Sequence, residues 1–186
     1  MTTFHKRSGK TIVGIRFAAV RGFTLVEVAT SLAILGFLGV MAAPSMAEYV
    51  ANARVRGVAD QIRDGLATTR MEAIRRNTSV KFIPNATGWN IVLPGTGGNP
   101  DVTLATRPPR GDEGAIAAQP SATELTFNGG GRVVGGGTYL VQLTSTQDSC
   151  VATGGHVRCL NLSVSTSGNV RMCDPSLASP HPESCA

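Results

Sequence analysis

Aromatic side chains are scarce in this 186-residue chain, at 5% of the total, and charged ones make up only 16%. An apolar content of 42% is ordinary, so the sparse charge gives no sign of a disordered, solvated chain. There is no acidic residue before Glu27 and no cysteine before Cys150. No phosphate-binding loop, nucleophile elbow or metal motif occurs, and His156 and His181 stand without an acid or nucleophile at a recognisable spacing. Catalysis is therefore not expected, nor is a cofactor. There is no internal repeat and no second domain, and the length suits one ordinary domain with an N-terminal extension.

What is present is unevenly placed. The net charge is +5, but Lys6, Arg7, Lys10, Arg16 and Arg21 all precede residue 22, and the 12 acidic residues that follow face an equal number of basic ones. The body is neutral, so the high isoelectric point belongs to the leader and does not signal nucleic-acid binding. The 4 cysteines, Cys150, Cys159, Cys173 and Cys185, crowd the C-terminal end. An even number confined to one region points to disulfides and an oxidising compartment. A zinc site would need spacings such as C-x2-C, which are absent, although Cys173, His181 and Cys185 could supply three ligands.

Residues 23–43 form an apolar run of about 21 residues, roughly 31 Å as a helix, which matches a hydrocarbon core of about 30 Å. Five basic residues precede it and none follows closely, so the positive-inside rule places the leader in the cytoplasm and everything beyond Pro44 outside. A secretory signal peptide cut after Ser45-Met46-Ala47 is the alternative. A basic region of this length and a carboxylate in the apolar run both weigh against it. Glu27 is the only charge in the run, and insertion scales put a central acid at roughly 2.5–3.5 kcal/mol.

Arg21-Gly22-Phe23-Thr24-Leu25-Val26-Glu27 resembles the prepilin peptidase site of type IV pilins and type II secretion pseudopilins. The resemblance implies cleavage between Gly22 and Phe23, N-methylation of Phe23, and a glutamate at the fifth mature position, which is Glu27. It further implies that Glu27 neutralises a neighbouring subunit's new α-amine during assembly. Breaking such a buried pair costs about 3–5 kcal/mol, so Glu27 would act as a register device. Gly36 and Pro44 fall where pilin helices commonly loosen or kink.

Beyond Pro44 a helical pattern continues to about Asn77. Ala51, Val55, Val58, Ile62, Leu66 and Ala73 share one face, with Ala59 and Ile74 beside them. Arg56/Asp60 and Glu72/Arg76 are spaced as i,i+4 pairs, and Met71 reads as core. Strands are predicted at 79–83, 89–93, 124–127, 131–134, 139–145, 157–165 and 169–173. Residues 94–123, rich in Pro, Gly, Ala and Thr, read as a long exposed loop with room for one short strand. The expected fold is α+β and type IV pilin-like. It comprises a leader (1–22), a long helix (23–77, with 23–43 membrane-spanning and 44–77 amphipathic) and a mostly antiparallel periplasmic β domain (78–186).

Thr126-Phe127, the glycine turn before Arg132-Val133, and the run Leu160 to Arg171 are similar to the GspH/FimT family of H-type pseudopilins and minor pilins. The four cysteines allow three pairings. Pilins often staple the C-terminal region, which favours Cys150–Cys159 across a hairpin and Cys173–Cys185 pinning the tail; the sequence leaves the other pairings open. Some family members bind DNA through a G-R-x-R motif. The matching stretch here is Gly168-Asn169-Val170-Arg171, in which asparagine replaces the first arginine. Arg171, Asn169 and Arg158 are the candidate DNA contacts, with Arg132, Arg107 and Arg110 as reserves, and solvated surface charge is the favoured reading of all of them. The resemblance implies a minor pilin that primes or caps a type IV pilus, or else an H-type pseudopilin of a type II secretion system, with a major pilin as the third reading. Its partners would be prepilin peptidase, other pilins and an inner-membrane assembly platform.

Overall fold

The computed structural model describes residues 22–185, apart from the side chains of 42–44 and 112. The expected leader, up to residue 21, lies outside the described residues. Two compact units divide the chain at Ala42/Ala43. The described part of the first is a non-helical start at Gly22–Thr24 and the beginning of α1 (Leu25–Arg76). The second holds the remainder of α1 and eight strands.

Helix α1 runs 52 residues, close to the predicted 23–77. Its end is set locally. Asn77 adopts φ 50°, the Asn77 N–H donates to Ile74 O at 3.1 Å, and Thr78 N–H donates to Ala73 O at 3.2 Å. That pair of bonds is a Schellman closure, which satisfies the last helical carbonyls and needs a left-handed residue that Asn tolerates. Val55, Val58, Ala59, Ile62, Leu66 and Ala73 are buried as predicted, and Ala51 is half-buried. Thr69 joins them, its hydroxyl satisfied by Gly65 O at 2.7 Å. Two expectations fail here: Met71 is 66% exposed and Ile74 49% exposed, because both line an open groove beside Gly168 and Val170 that the sheets do not fill. Of the two predicted helical pairs, Glu72–Arg76 closes at 2.8 Å, whereas Arg56 and Asp60 form no ion pair among the described residues.

The strands form two antiparallel sheets. One has the order β3 (Val102–Arg107), β2 (Gly88–Leu93), β1 (Val80–Asn85), β5 (Leu125–Phe127). The other runs β4 (Ile116–Pro120), β6 (Tyr139–Ser145), β7 (Leu160–Val164), β8 (Val170–Cys173). Both deliver side chains to a single core with α1, in which Phe82, Phe127, Ile91, Leu143 and Leu162 are fully buried. Gly65 makes room for Trp89, since a Cβ there would lie 2.6 Å from the indole. The Trp89 Nε1–H donates to Gln61 O at 3.1 Å, so the only tryptophan is tied to the helix at its polar edge.

The predicted loop at 94–123 contains two strands rather than one. β3 pairs only with β2 and β4 only with β6, so each is an edge strand with a half-exposed pattern that lacks a continuous apolar signal. Conversely, 131–134 is no strand; it contributes an isolated bridge, Phe127 to Val133. The strand expected at 157–165 begins at Leu160, which leaves Arg158 outside it.

Between the sheets, the connection from β3 to β4 is held by Glu113, which is 5% exposed. Its carboxylate accepts from Arg107 Nη2 at 2.5 Å and Nη1 at 3.3 Å, and from the Arg110 amide at 3.2 Å. Burial alone would push this carboxyl up. The Arg110 amide, the Thr87 and Gln61 side chains and the Arg107 charge outweigh it and hold Glu113 below the usual carboxylate range.

Candidate functional site

The first candidate region is the start of α1. Gly22 and Phe23 are non-helical and exposed, and a Cβ at Gly22 would meet nothing within 4 Å. Thr24 caps the helix: its Oγ1 accepts from the Glu27 amide at 3.2 Å, and Thr24 O accepts from Val28 N–H at 3.1 Å. Thr24-Leu25-Val26-Glu27 thus has the T-x-x-E spacing of a capping box, with Glu27 at its third helical position. Pairing with a neighbour's amine is one reason for a carboxylate at Glu27. Its place in the first turn adds a second reason for a carboxylate, since exposed helix N–H groups favour negative charge there. Glu27 O in turn accepts from Thr30 Oγ1 at 3.1 Å and Ser31 Oγ at 2.7 Å, so these two hydroxyls are satisfied within the helix.

Around Glu27 the helix is apolar and uncovered. Phe23, Leu25, Val26, Leu32, Ile34, Leu35, Phe37, Leu38, Val40 and Met41 are all exposed. No single helix among the described residues is long and apolar enough to cross a membrane, and Leu25–Met41 meets that standard only together with Ser45–Arg76. Gly36 lies in the helix with open space around it, and nothing in the structure explains it. Pro44 is helical in backbone, where its ring removes one ladder hydrogen bond.

The second candidate region is the hairpin between β7 and β8. Ser165 O accepts from Gly168 N–H at 2.8 Å, and Gly168 has φ +81°. A Cβ on Gly168 would fall 2.1 Å from Gly131 O. Glycine is required there twice over, by backbone conformation and by close approach. From α1, Arg70 Nη1 reaches Gly168 O at 3.1 Å and Asn169 Oδ1 at 3.4 Å, so Asn169 acts as an acceptor for an arginine.

Arg171 sits opposite Ser163 in the β7–β8 ladder. Its neighbours Val170 and Met172 pack on the core, so Arg171 points to the other face of the sheet. There its Nη2 donates to Pro182 O at 3.0 Å and Ser184 O at 3.2 Å, which ties the strand to the tail. Cys173–Cys185 closes the same tail, and Cys150–Cys159 closes the loop ahead of β7; this is the favoured pairing, with no free cysteine among the described residues. Asp174 is buried and accepts from Ser176 N–H at 2.8 Å.

Arg158 and Arg171 are not neighbours across two strands. Arg158 lies ahead of β7 and outside the β7–β8 ladder, in which Arg171 is paired with Ser163. Its amide donates to Asn52 Oδ1 at 2.7 Å, and its side chain lines a groove against α1. Arg107 is committed to Glu113. Arg158, Arg171 and Arg107 therefore do not share one surface cluster. No group of His, Cys, Asp or Glu among the described residues could hold a metal ion.

A long helix laid on two antiparallel sheets, with a disulfide-closed tail, defines a pilin-like α+β fold. The family of the type II transport protein GspH matches residues 58–168, and the chain belongs to that family. Comparison with curated proteins returns no match. Two crystal forms of the type IV minor pilin FimU of Pseudomonas aeruginosa share the fold. One is 18% identical with a TM-score of 0.53 over 74% of this chain and 99% of FimU. The other is 20% identical with a TM-score of 0.50 over 70% and 99%. The solution structure of E. coli GspH is 16% identical, with a TM-score of 0.50 over 72% of this chain and 96% of GspH. The chain is a pilin or pseudopilin of this type, a structural subunit.

Proposed function

We propose that this chain is a minor pilin that primes or caps a type IV pilus after prepilin peptidase has cut between Gly22 and Phe23. The observation that carries this reading is the helix start: a capped, carboxylate-bearing first turn followed by apolar side chains with nothing covering them. Such a helix needs lipid before assembly and neighbouring helices afterwards. In this reading the leader is cytoplasmic, the helix anchors in the inner membrane, and the β domain is periplasmic, where its two disulfides persist. Partners are the peptidase, which also methylates Phe23, other pilins, and the assembly platform. The stapled tail leans towards a pilus. The name of the matching family favours a second reading, an H-type pseudopilin of a type II secretion system. DNA uptake is the weakest component, because Arg171 is engaged with the tail.

The test combines two measurements on cells that assemble the filament. Mass spectrometry of the mature protein should begin at N-methyl-Phe23. Glu27→Ala should insert in the membrane as well as wild type or better, because an unpaired carboxylate is removed, and should be depleted from sheared filaments. A mature N-terminus at Glu48 would replace this reading with a secreted protein, and normal incorporation of Glu27→Ala would remove the charge-pairing role.

A further inference from the structure

The sheet β4-β6-β7-β8 ends at β8, and the phase of its last ladder leaves backbone groups unpaired. Arg171 stands opposite Ser163, and Met172 opposite Leu162. At the hairpin, Ser165 N–H donates to Asn169 O at 3.0 Å. Bonded and non-bonded positions alternate in an antiparallel ladder, so Asn169, Arg171 and Cys173 turn their backbone groups to β7, whereas Val170 and Met172 turn theirs away. The outward N–H and C=O groups of Val170 and Met172 make no hydrogen bond among the described residues. One step on, the same edge is paired. Asp174 N–H donates to Glu183 O at 2.8 Å, beside a parallel bridge from Asp174 to Ser184. The tail thus pairs with this edge at Asp174 and leaves the positions before it open. β8 contains no proline or lysine, which commonly blunt an edge, and its one charge, Arg171, is held by tail carbonyls.

Beside the open edge lies a flank of α1. Val170 and Met172 pack on the core side. Met172 lines a groove of about 570 Å³ that Tyr49 and Arg63 also line, and Val170 lines another of about 330 Å³ with Arg63, Met71 and Ile74. Tyr49, Met71 and Ile74 are exposed there because the sheet is narrower than the helix flank beneath it. A strand added about 4.8 Å beyond β8 would lay alternate side chains over that flank.

The edge and the flank together define what fits. Unpaired N–H and C=O groups require an extended backbone, as in strand addition to a sheet edge. Uncovered Met71 and Ile74 require apolar side chains. Arg63 is exposed, makes no hydrogen bond or ion pair among the described residues, and calls for a carboxylate between them. The larger groove already has Asp60, Asp174 and Glu183 in its lining; the smaller has no acidic residue. A second copy cannot meet these needs with a strand, because none of the strands among the described residues contains an acidic residue.

We propose that the β8 edge at Val170 and Met172 is a docking site for an extended segment of a different polypeptide. The segment adds a fifth strand to this sheet, sets apolar side chains over Met71 and Ile74, and places a carboxylate against Arg63.

The experiment uses the full chain in detergent micelles with both disulfides intact. The probe is a fluorescent seven-residue peptide in which valine, glutamate and valine alternate with threonine. Two control peptides carry N-methyl groups, one on the threonines and one on the valines and glutamate, so that each loses the N–H groups of one edge. Anisotropy should show saturable binding of the parent peptide. One control should bind about tenfold more weakly and the other like the parent, because only one edge of an added strand faces β8. Met172→Pro loses an N–H that the β7 ladder does not use, and should weaken binding about tenfold; Met172→Ala, which keeps that N–H, should bind more tightly than Met172→Pro. Arg63→Ala should weaken binding about threefold, and Arg63→Glu should prefer a peptide with lysine in place of glutamate. Absence of saturable binding, or equal effects of the two N-methylation patterns, overturns the proposal even if the proline variant fails to fold. So does displacement of the peptide by a DNA duplex at lower concentration than unlabelled peptide, which would make the flank a polyanion surface. Self-association that blocks the peptide and is abolished by Met172→Pro would overturn it in favour of a second copy. The Phe23 and Glu27 measurements are independent of all these outcomes, so the filament reading stands or falls separately.

Discussion

Glu113 offers the sharpest test of the energetics. It links α1, the β1–β2 turn, β3 and the following 3-10 turn through one carboxylate, and its pairing with Arg107 leaves the two side chains 7% and 17% exposed. Removing one partner of a buried pair strands the other, at about 3–5 kcal/mol. The residual exposure of Arg107 places Glu113→Ala at the lower end, about 3 kcal/mol. A domain of this size loses about 2–4 °C of Tm per kcal/mol, so the expected drop is about 6–12 °C. Glu113→Gln keeps the shape but loses the charge, and should cost about 1–2 kcal/mol. The pH dependence has a definite sign. The folded carboxyl titrates below its unfolded value of about 4.3, so its contribution is complete above that value and is lost as pH falls through the folded value. Melting curves of wild type and Glu113→Gln should therefore be separated near pH 6 and converge in acid. Thermal melts followed by circular dichroism at a series of pH values provide the measurement. A Glu113→Ala protein that melts with wild type, or a separation that persists undiminished in acid, would refute the reasoning.

Gly168→Ala should destabilise by about 2 kcal/mol or more, measured by urea unfolding, because the new methyl meets Gly131 O and the backbone is left-handed. Ellman titration of the denatured protein purified from an oxidising compartment should find no free thiol before reduction and four after it; reactive thiols before reduction would revive the zinc alternative. Duplex DNA should bind weakly or not at all at low salt, and Asn169→Arg should tighten any binding by adding a phosphate contact. Tight wild-type binding abolished by Arg171→Ala would show that Arg171 leaves its tail carbonyls for phosphate.

What could be read from the chain is what depends on near neighbours. The apolar face from Val55 to Ala73 carries a helical period, and the end at Asn77 is written in a residue that tolerates the left-handed region. The T-x-x-E spacing at Thr24–Glu27 is equally local, and it marks a helix start as well as a processing site. Strand β6 matched its expectation because Tyr139, Val141 and Leu143 alternate cleanly with more exposed positions. Tertiary structure decided the rest. β3 and β4 exist because β2 and β6 offer edges to pair with, and an edge strand half open to water needs no apolar signal of its own. Arg70 and Gly168 meet across 98 positions, and Gly168 needs to be glycine because Gly131, from a different turn, passes beside it. Arg171 looked like a free cation because the carbonyls that hold it, at Pro182 and Ser184, reach it only when the tail folds back. Met71 resembled core because its chemistry is apolar, but which flank of a helix is covered depends on where the sheets lie, and residue type alone cannot encode that.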